Sequence, residues 1–327
     1  MIFRLIKHNW LASFVLMPLL GIAVWSTSLL FPPSFDFYQG EDRMLLFSPV
    51  AGLLSGKPHL TGITAFLLYM LAAVIIQRIS GEYGFIKTRT LLPGAMFLLI
   101  AGGIREYQTF HPVYPAVIML LLGLFRLFGA FDKRKPYSQI FDANLILGIG
   151  SLFYLNLAVL LPAFIAGGKI LGRETRWREI VVALSGFLTP WIFAFSWFYL
   201  SGRTAELLQV LHDNFLTEND RLTGNLPLQI FLGLAGILTL AGSYLIIAQY
   251  DEKKVSIRQY YLVFFLVFVS AVSAFFLVPS ASAEILLVAG VPVTFLLTNL
   301  MLTFRRVIWG EVVIYLLAGY AAGIQFL

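Results

Sequence analysis

The chain has 327 residues, of which 59% are hydrophobic and only 12% charged, and its mean hydropathy is +0.85. Soluble domains carry about 25% charged residues, so this composition excludes a water-soluble fold of this size. The absence of cysteine excludes disulfides, thiolate metal sites, iron–sulfur clusters and cysteine nucleophiles, and the net charge of +6 sits in short loops, as membrane topology requires, rather than in a nucleic-acid-binding patch.

The apolar residues arrive in long blocks, and the short alternating strands of an outer-membrane barrel are absent, so the blocks read as membrane-crossing helices. The first, 9–30, follows Arg4 and Lys7 and ends in Phe31-Pro32-Pro33 without a small-x-small cleavage pattern, so an uncleaved first span is expected. Further spans are expected at 60–79, 90–104 and 112–131, the second of these being short. The stretch 139–171 is too long for one span and short for two. Gly148, Gly150, Asn156 and Pro162 interrupt it, which predicts a pair of short or broken helices, 139–154 and 156–171. The remaining spans are 177–200, 226–248, 259–278, 283–304 and 308–326. The whole chain, 1–327, thus reads as one all-α polytopic domain of about eleven transmembrane helices.

Loop charge tests this division. With the N-terminus cytoplasmic, 17 basic residues fall inside and 5 outside, with Arg126 in a span near its cytoplasmic end. Reading 139–171 as a single span would invert everything after it and place the clusters at 253–258 and 305–306 outside. An even number of crossings is therefore expected there. Two exoplasmic loops, 31–59 and 201–225, are long enough for structure of their own. Within the second, Leu207, Leu208, Leu211 and Phe215 share one face of a helix, which suits a helix lying in the membrane interface. The stretch 44–54 around Pro49 has a similar pattern.

Polar groups gather on the exoplasmic side. Asp36, Glu41 and Asp42 in the first loop are candidate catalytic carboxylates, because loop acids can serve as general bases. Glu106, Asp213, Glu218, Asp220, Glu284 and the histidines His59, His111 and His212 fall on the same side. The plainer reading is that acids are what remains once basic residues are held inside. Arg105, Glu106 and His111, in a tight turn before Pro112-Val113-Tyr114-Pro115, are candidate substrate-binding residues, since an arginine there can grip a phosphate in bidentate fashion. A plain loop leading into a proline-initiated helix has the same sequence. Asp142, Asn144 and Asn156 are candidate buried polar groups, with Asp142 equally suited to cap a helix or pair with Arg126. Trp177, Trp191 and Trp197, with Tyr199, fit the aromatic belts of one span. No cofactor is predicted, and no motif indicates a divalent cation or any other metal, although oxygen and imidazole donors would suit a divalent cation. No nucleophile elbow, P-loop or dinucleotide fingerprint occurs.

Met1-Ile2-Phe3-Arg4-Leu5, His111-Pro112-Val113-Tyr114-Pro115-Ala116, Phe141-Asp142-Ala143-Asn144, Gly148-Ile149-Gly150-Ser151-Leu152-Phe153-Tyr154 and Trp177-Arg178-Glu179 together resemble an uncharacterised family of polytopic inner-membrane proteins from Bacteroidota. That resemblance implies location in a bacterial cytoplasmic membrane but no activity. The arrangement is also similar, more distantly, to GT-C glycosyltransferases and polysaccharide polymerases. It shares with them many spans, an acidic first exoplasmic loop containing Asp36, Glu41 and Asp42, and short paired helices in mid-chain. It lacks their tight pair of acids directly after the first span. This likeness implies a polyprenyl-phosphate-linked substrate, with membrane lipids and other membrane proteins as partners and no nucleic acid. The expected function is handling of a lipid-linked or cell-envelope substrate at the exoplasmic face. A non-catalytic subunit of an envelope or secretion assembly and a transporter are the alternatives.

Overall fold

A computed structural model describes residues 10–32, 41–86, 90–104, 108–173, 177–216, 226–281, 283–304 and 306–324, and the backbone alone for 10–14 and 41. Among the described residues the regular structure is helical, with no strand. The helices are α1 (Trp10–Val24), α2 (Ser26–Leu30), α3 (Phe47–Leu54), α4 (Pro58–Glu82), α5 (Leu92–Gly102), α6 (Val113–Phe128) and α7 (Tyr137–Phe153). After a 3-10 segment, Leu155–Leu160, follow α8 (Leu161–Leu171), α9 (Trp177–Leu200), α10 (Thr204–Leu216), α11 (Leu226–Ala248), α12 (Val255–Leu277), α13 (Ile285–Thr303) and α14 (Val307–Gly323). Each of the expected apolar spans is helical in the structure. Five helices, α4, α9, α11, α12 and α13, are long and apolar enough to cross a membrane; α5, α6, α14 and the segment Leu155–Leu171 are shorter apolar helices.

Helix boundaries follow local chemistry. Pro58, Pro93 and Pro162 each stand in the first turn of a helix, where the missing N–H would have had no partner. Gly84, just past α4, has φ +65°, a left-handed conformation that a glycine adopts without a Cβ clash. The expected break in 139–171 falls at Tyr154, whose extended backbone (φ −141°, ψ 105°) ends α7. The chain then turns back. The Asp132 N–H, before α7, donates to the Leu171 carbonyl at the end of α8, and the Arg173 N–H donates to the Lys133 carbonyl, both at 3.0 Å. The segment between them leaves one end of the molecule and returns to it.

Helix ends collect into two groups. At one end lie Tyr83 and Phe85, Phe125 to Asp132, Leu171 and the start of α12, joined by aromatic contacts such as Phe128–Tyr260 at 4.7 Å. Here the Lys253 ammonium also donates to Asn299 Oδ1 at 2.9 Å, and Arg126 pairs with Asp142. At the other end the Leu46 N–H donates to the Leu152 carbonyl, Phe47 stacks on Phe110 at 4.9 Å, and Phe231 stacks on Tyr320 at 4.8 Å. Among the described residues Arg126, Lys133, Arg173, Lys253 and Arg258 belong to the first group, which is the end expected to be cytoplasmic.

The core is inverted relative to a soluble protein only at its periphery. All eleven residues of α5 are buried, packed among α1, α4, α13 and α14, and most of α13 is buried too. By contrast α9 and α11 expose Leu188, Ile192, Phe193, Ile237, Leu240 and Ile247, a largely apolar surface that suits lipid better than water. Helices α7 and α9 approach closely: a Cβ on Gly148 would lie 2.5 Å from the Phe187 carbonyl oxygen, and one on Gly186 2.5 Å from that of Phe141. Such backbone approach through small residues supplies the packing energy that lipid does not.

One expectation is corrected here. Trp177, Trp197 and Tyr199 are exposed at the ends of α9, as a belt requires, but Trp191 is nine-tenths buried. Its indole N–H donates to Ser151 Oγ at 2.9 Å, so it locks α9 to α7 instead of marking an interface.

Candidate functional site

The end opposite the basic clusters holds a connected set of buried polar side chains. Glu284, at the N-cap of α13, is fully buried, and its position at a helix N-terminus favours a negative charge. The Tyr154 hydroxyl donates to Glu284 Oε1 at 2.9 Å. Asn156 Nδ2 donates in turn to the Tyr154 oxygen at 3.3 Å. Ser280 Oγ lies 3.4 Å from Asn156 Oδ1 and 2.6 Å from the Asn214 carbonyl oxygen, and Asn214 Nδ2 donates to the Val210 carbonyl at 2.9 Å. Tyr154 and Asn156 are brought here by the break between α7 and α8, Ser280 and Glu284 by the short link between α12 and α13, and Asn214 by α10. A carboxyl hydrogen-bonded to a phenol in a low-dielectric setting is the kind of pair that can hold or pass a proton.

The nominated residues distribute unevenly. His111 is fully buried at the start of α6, and its Nδ1 accepts the Val113 N–H at 3.2 Å, which leaves any ring proton on Nε2. Asp42, in the 3-10 turn Glu41–Arg43, is exposed. Asp36, Arg105 and Glu106 lie outside the described residues, as does the Glu41 side chain. Asn144 and Asn156 are buried, but Asn144 Nδ2 donates to the Ile140 carbonyl of its own helix at 2.8 Å and so stabilises α7 locally. Asp142 is not buried: its side chain is 28% exposed, because it reaches the surface to pair with Arg126. The first loop and the turn before α6 do pack together, through Phe47 and Phe110. Among the described residues no group of three or more His, Asp or Glu side chains is placed to hold a metal ion.

The helix expected in the second loop is present as α10. Leu207 and Val210 are buried against the protein, with Leu211 partly so, while Leu208, Phe215 and Leu216 face outward. The expected apolar face is therefore shared between protein and surroundings. At its start Arg203 grips Glu206 with two hydrogen bonds of 2.6 Å, which hold the Glu206 carboxyl below its usual range.

A second feature adjoins the network. A partly open cavity of about 740 Å³ runs between α11, α12 and α13 and reaches Ile100, Ala101 and Ile104 of the α5 end. Leu286 and Leu287, in the first turn of α13 after Glu284, line one end, and Tyr250, Lys253, Arg258 and Tyr261 line the other. Comparison with known families, curated proteins and solved structures gives no match for the chain.

Tyr154, Ser280 and Asn214 carry no motif and are not marked by the sequence as site residues. Glu284 is visible there only as one exoplasmic acid among several. The available signal was its place, alone between two long apolar runs in the stretch Pro279-Ser280-Ala281-Ser282-Ala283-Glu284.

Proposed function

We propose that this chain is a bacterial cytoplasmic-membrane protein with eleven crossings that handles a lipid-linked or cell-envelope substrate at its exoplasmic face. GT-C-like glycosyl transfer is the most specific form of that activity. The observation that supports it most is the buried Glu284–Tyr154–Asn156–Ser280 network, an ionisable site inside a membrane domain, where charge is costly and is kept for function. A partly open apolar cavity begins in the first turn of α13, beside Glu284, and suits a lipid-borne group. In this reading a carboxylate, Glu284 or an acid of the first loop, acts as base toward an acceptor hydroxyl. Arg105, which follows the cavity-lining Ile104 in the chain, offsets charge developing on a leaving phosphate.

The test is complementation of a deletion strain in the native host, scored by mass spectrometry of its envelope glycans and lipid-linked intermediates. Glu284→Gln, inserted in the membrane at the wild-type level, should leave the deletion's accumulated intermediate in place. Full rescue by Glu284→Gln and by each of Asp36→Asn, Glu41→Gln and Asp42→Asn would sink the enzymatic reading and favour a non-catalytic subunit of an envelope assembly. Rescue by those variants with failure of Asn156→Leu would favour a transporter.

A further inference from the structure

The far end of the cavity has a chemistry that the reading above does not use. Along α11 the cavity extends from Phe231 to Ile247, about 24 Å at about 1.5 Å per residue, most of the thickness of a hydrocarbon core of roughly 30 Å. Its walls are apolar over nearly all of that length: Phe231, Leu240, Phe265, Phe268, Leu286 and Val293 are typical. Only at the α11–α12 link does it become cationic, where Lys253 and Arg258 line it together with Tyr250 and Tyr261.

The donors at that end are partly unspent. Lys253 Nζ donates to Asn299 Oδ1 at 2.9 Å, which turns the Asn299 amide so that Nδ2 is buried and makes no hydrogen bond. Arg258 Nε is likewise buried and makes none, although its guanidinium stacks over Tyr250 at 5.0 Å. Asp251 reaches Arg258 Nη1 only at 3.9 Å and is itself fully exposed, so it leaves Nε unanswered. The cavity thus ends on two cations, one of them with an unused N–H, and a charged oxygen acceptor is the group that answers them.

An amphiphile satisfies this geometry as a unit, its chains against the apolar walls and its anionic head on the donors. We propose that the groove between α11, α12 and α13 is a binding site for one anionic phospholipid, with its phosphate at Lys253 and Arg258. The cavity is partly open, so the occupant can enter it from outside the helix bundle. This site lies at the end of the molecule opposite Glu284 and stands whether or not an exoplasmic activity exists.

The experiment is native mass spectrometry of the full-length, delipidated protein titrated with dioleoylphosphatidylglycerol or with dioleoylphosphatidylcholine, which share chains and differ in head charge. The anionic lipid should bind about tenfold more tightly, as expected for one net charge-assisted hydrogen-bonding site. The pair Lys253→Gln with Arg258→Gln should bring the ratio to about one. Gly236→Trp, at a groove position where an added Cβ meets nothing within 4 Å, should weaken both lipids. Equal binding of the two lipids by the wild type, or an undiminished preference in the double variant, overturns the proposal. Displacement of the lipid by millimolar glycerol phosphate also overturns it, since the site would then take free phosphate. If the double variant does not fold, unchanged binding of the anionic lipid to Gly236→Trp overturns it alone. None of these outcomes bears on complementation by Glu284→Gln, so this proposal and the functional one fail separately.

Discussion

The Tyr154 hydroxyl donates a 2.9 Å hydrogen bond to the Glu284 carboxylate across 130 positions of the chain, joining the break after α7 to the first turn of α13. Both groups are buried, so the bond is not exchanged for water. Tyr154→Phe removes a donor from a buried acid and should cost about 1–3 kcal/mol. Thermal unfolding in detergent measures this, with Glu284→Gln, which keeps an acceptor for the phenol, losing less. Equal stability of Tyr154→Phe and wild type would show that the bond does not hold these elements together.

The topology follows from charge and from the return of α8 beside Asp132. A reporter active only outside the cytoplasm should be active when fused at Leu327 and silent at Asp132. Activity at Asp132 together with silence at Leu327 would invert the orientation. Silence at both would leave the number of crossings after Asp132 even, contrary to the paired reading of 139–171.

Arg126 and Asp142 join α6 to α7 at the basic end, with side chains 50% and 28% exposed. Water reaches them, so the pair is worth about 1 kcal/mol or less. Arg126→Glu should nonetheless destabilise by setting like charges together, and adding Asp142→Arg should recover part of the loss. A double-mutant cycle with no recovery would mean the two groups do not interact in solution.

The α7–α9 seam depends on the absence of side chains at Gly148 and Gly186. Gly186→Val places atoms against the Phe141 carbonyl, which is backbone and cannot swing away. The variant should lose at least about 1–3 kcal/mol, typical of overpacking. Gly233, where an added Cβ meets nothing within 4 Å, is the control: Gly233→Ala should unfold at or slightly above the wild-type temperature. Similar melting of Gly186→Val and wild type would mean that the helices are further apart than described.

Helix α10 should lie at the boundary between lipid and water. Spin labels at Leu208 and Phe215 should be accessible to dissolved oxygen, and one at Glu206 to an aqueous relaxation agent. Aqueous relaxation of all three would place the helix in solvent. The Arg203–Glu206 pair lowers the carboxyl's pKa, so its contribution is present at neutral pH and is lost as the pH falls through that lowered value. Because both groups are exposed, the loss should alter the fraying of the first turn and leave the global melting temperature unchanged.

Much of this architecture is legible in the order of residues. Span 226–248 and span 177–200 coincide with α11 and α9, and the pairing within 139–171 follows from counting basic residues in loops. These features are local: transfer of a segment from water to lipid depends on its own composition, and the choice of side depends on charges close to its ends. Even Arg126 and Asp142, one helix apart, can be matched from the sequence because each sits near the same boundary.

What the sequence could not decide is which way each side chain faces. In a soluble helix the polar stripe marks the outside, but here lipid and protein are both apolar and the stripe disappears. Trp191 therefore reads like Trp177 although it is packed against Ser151, and Leu208 reads like Leu207 although one faces out and the other in. The same ambiguity hides the site: Glu284 and Asp42 both read as acids in exoplasmic loops, yet one is fully buried and the other exposed. Only the packing of α13 against the α7–α8 break separates them, because burial is set by neighbours distant in the chain.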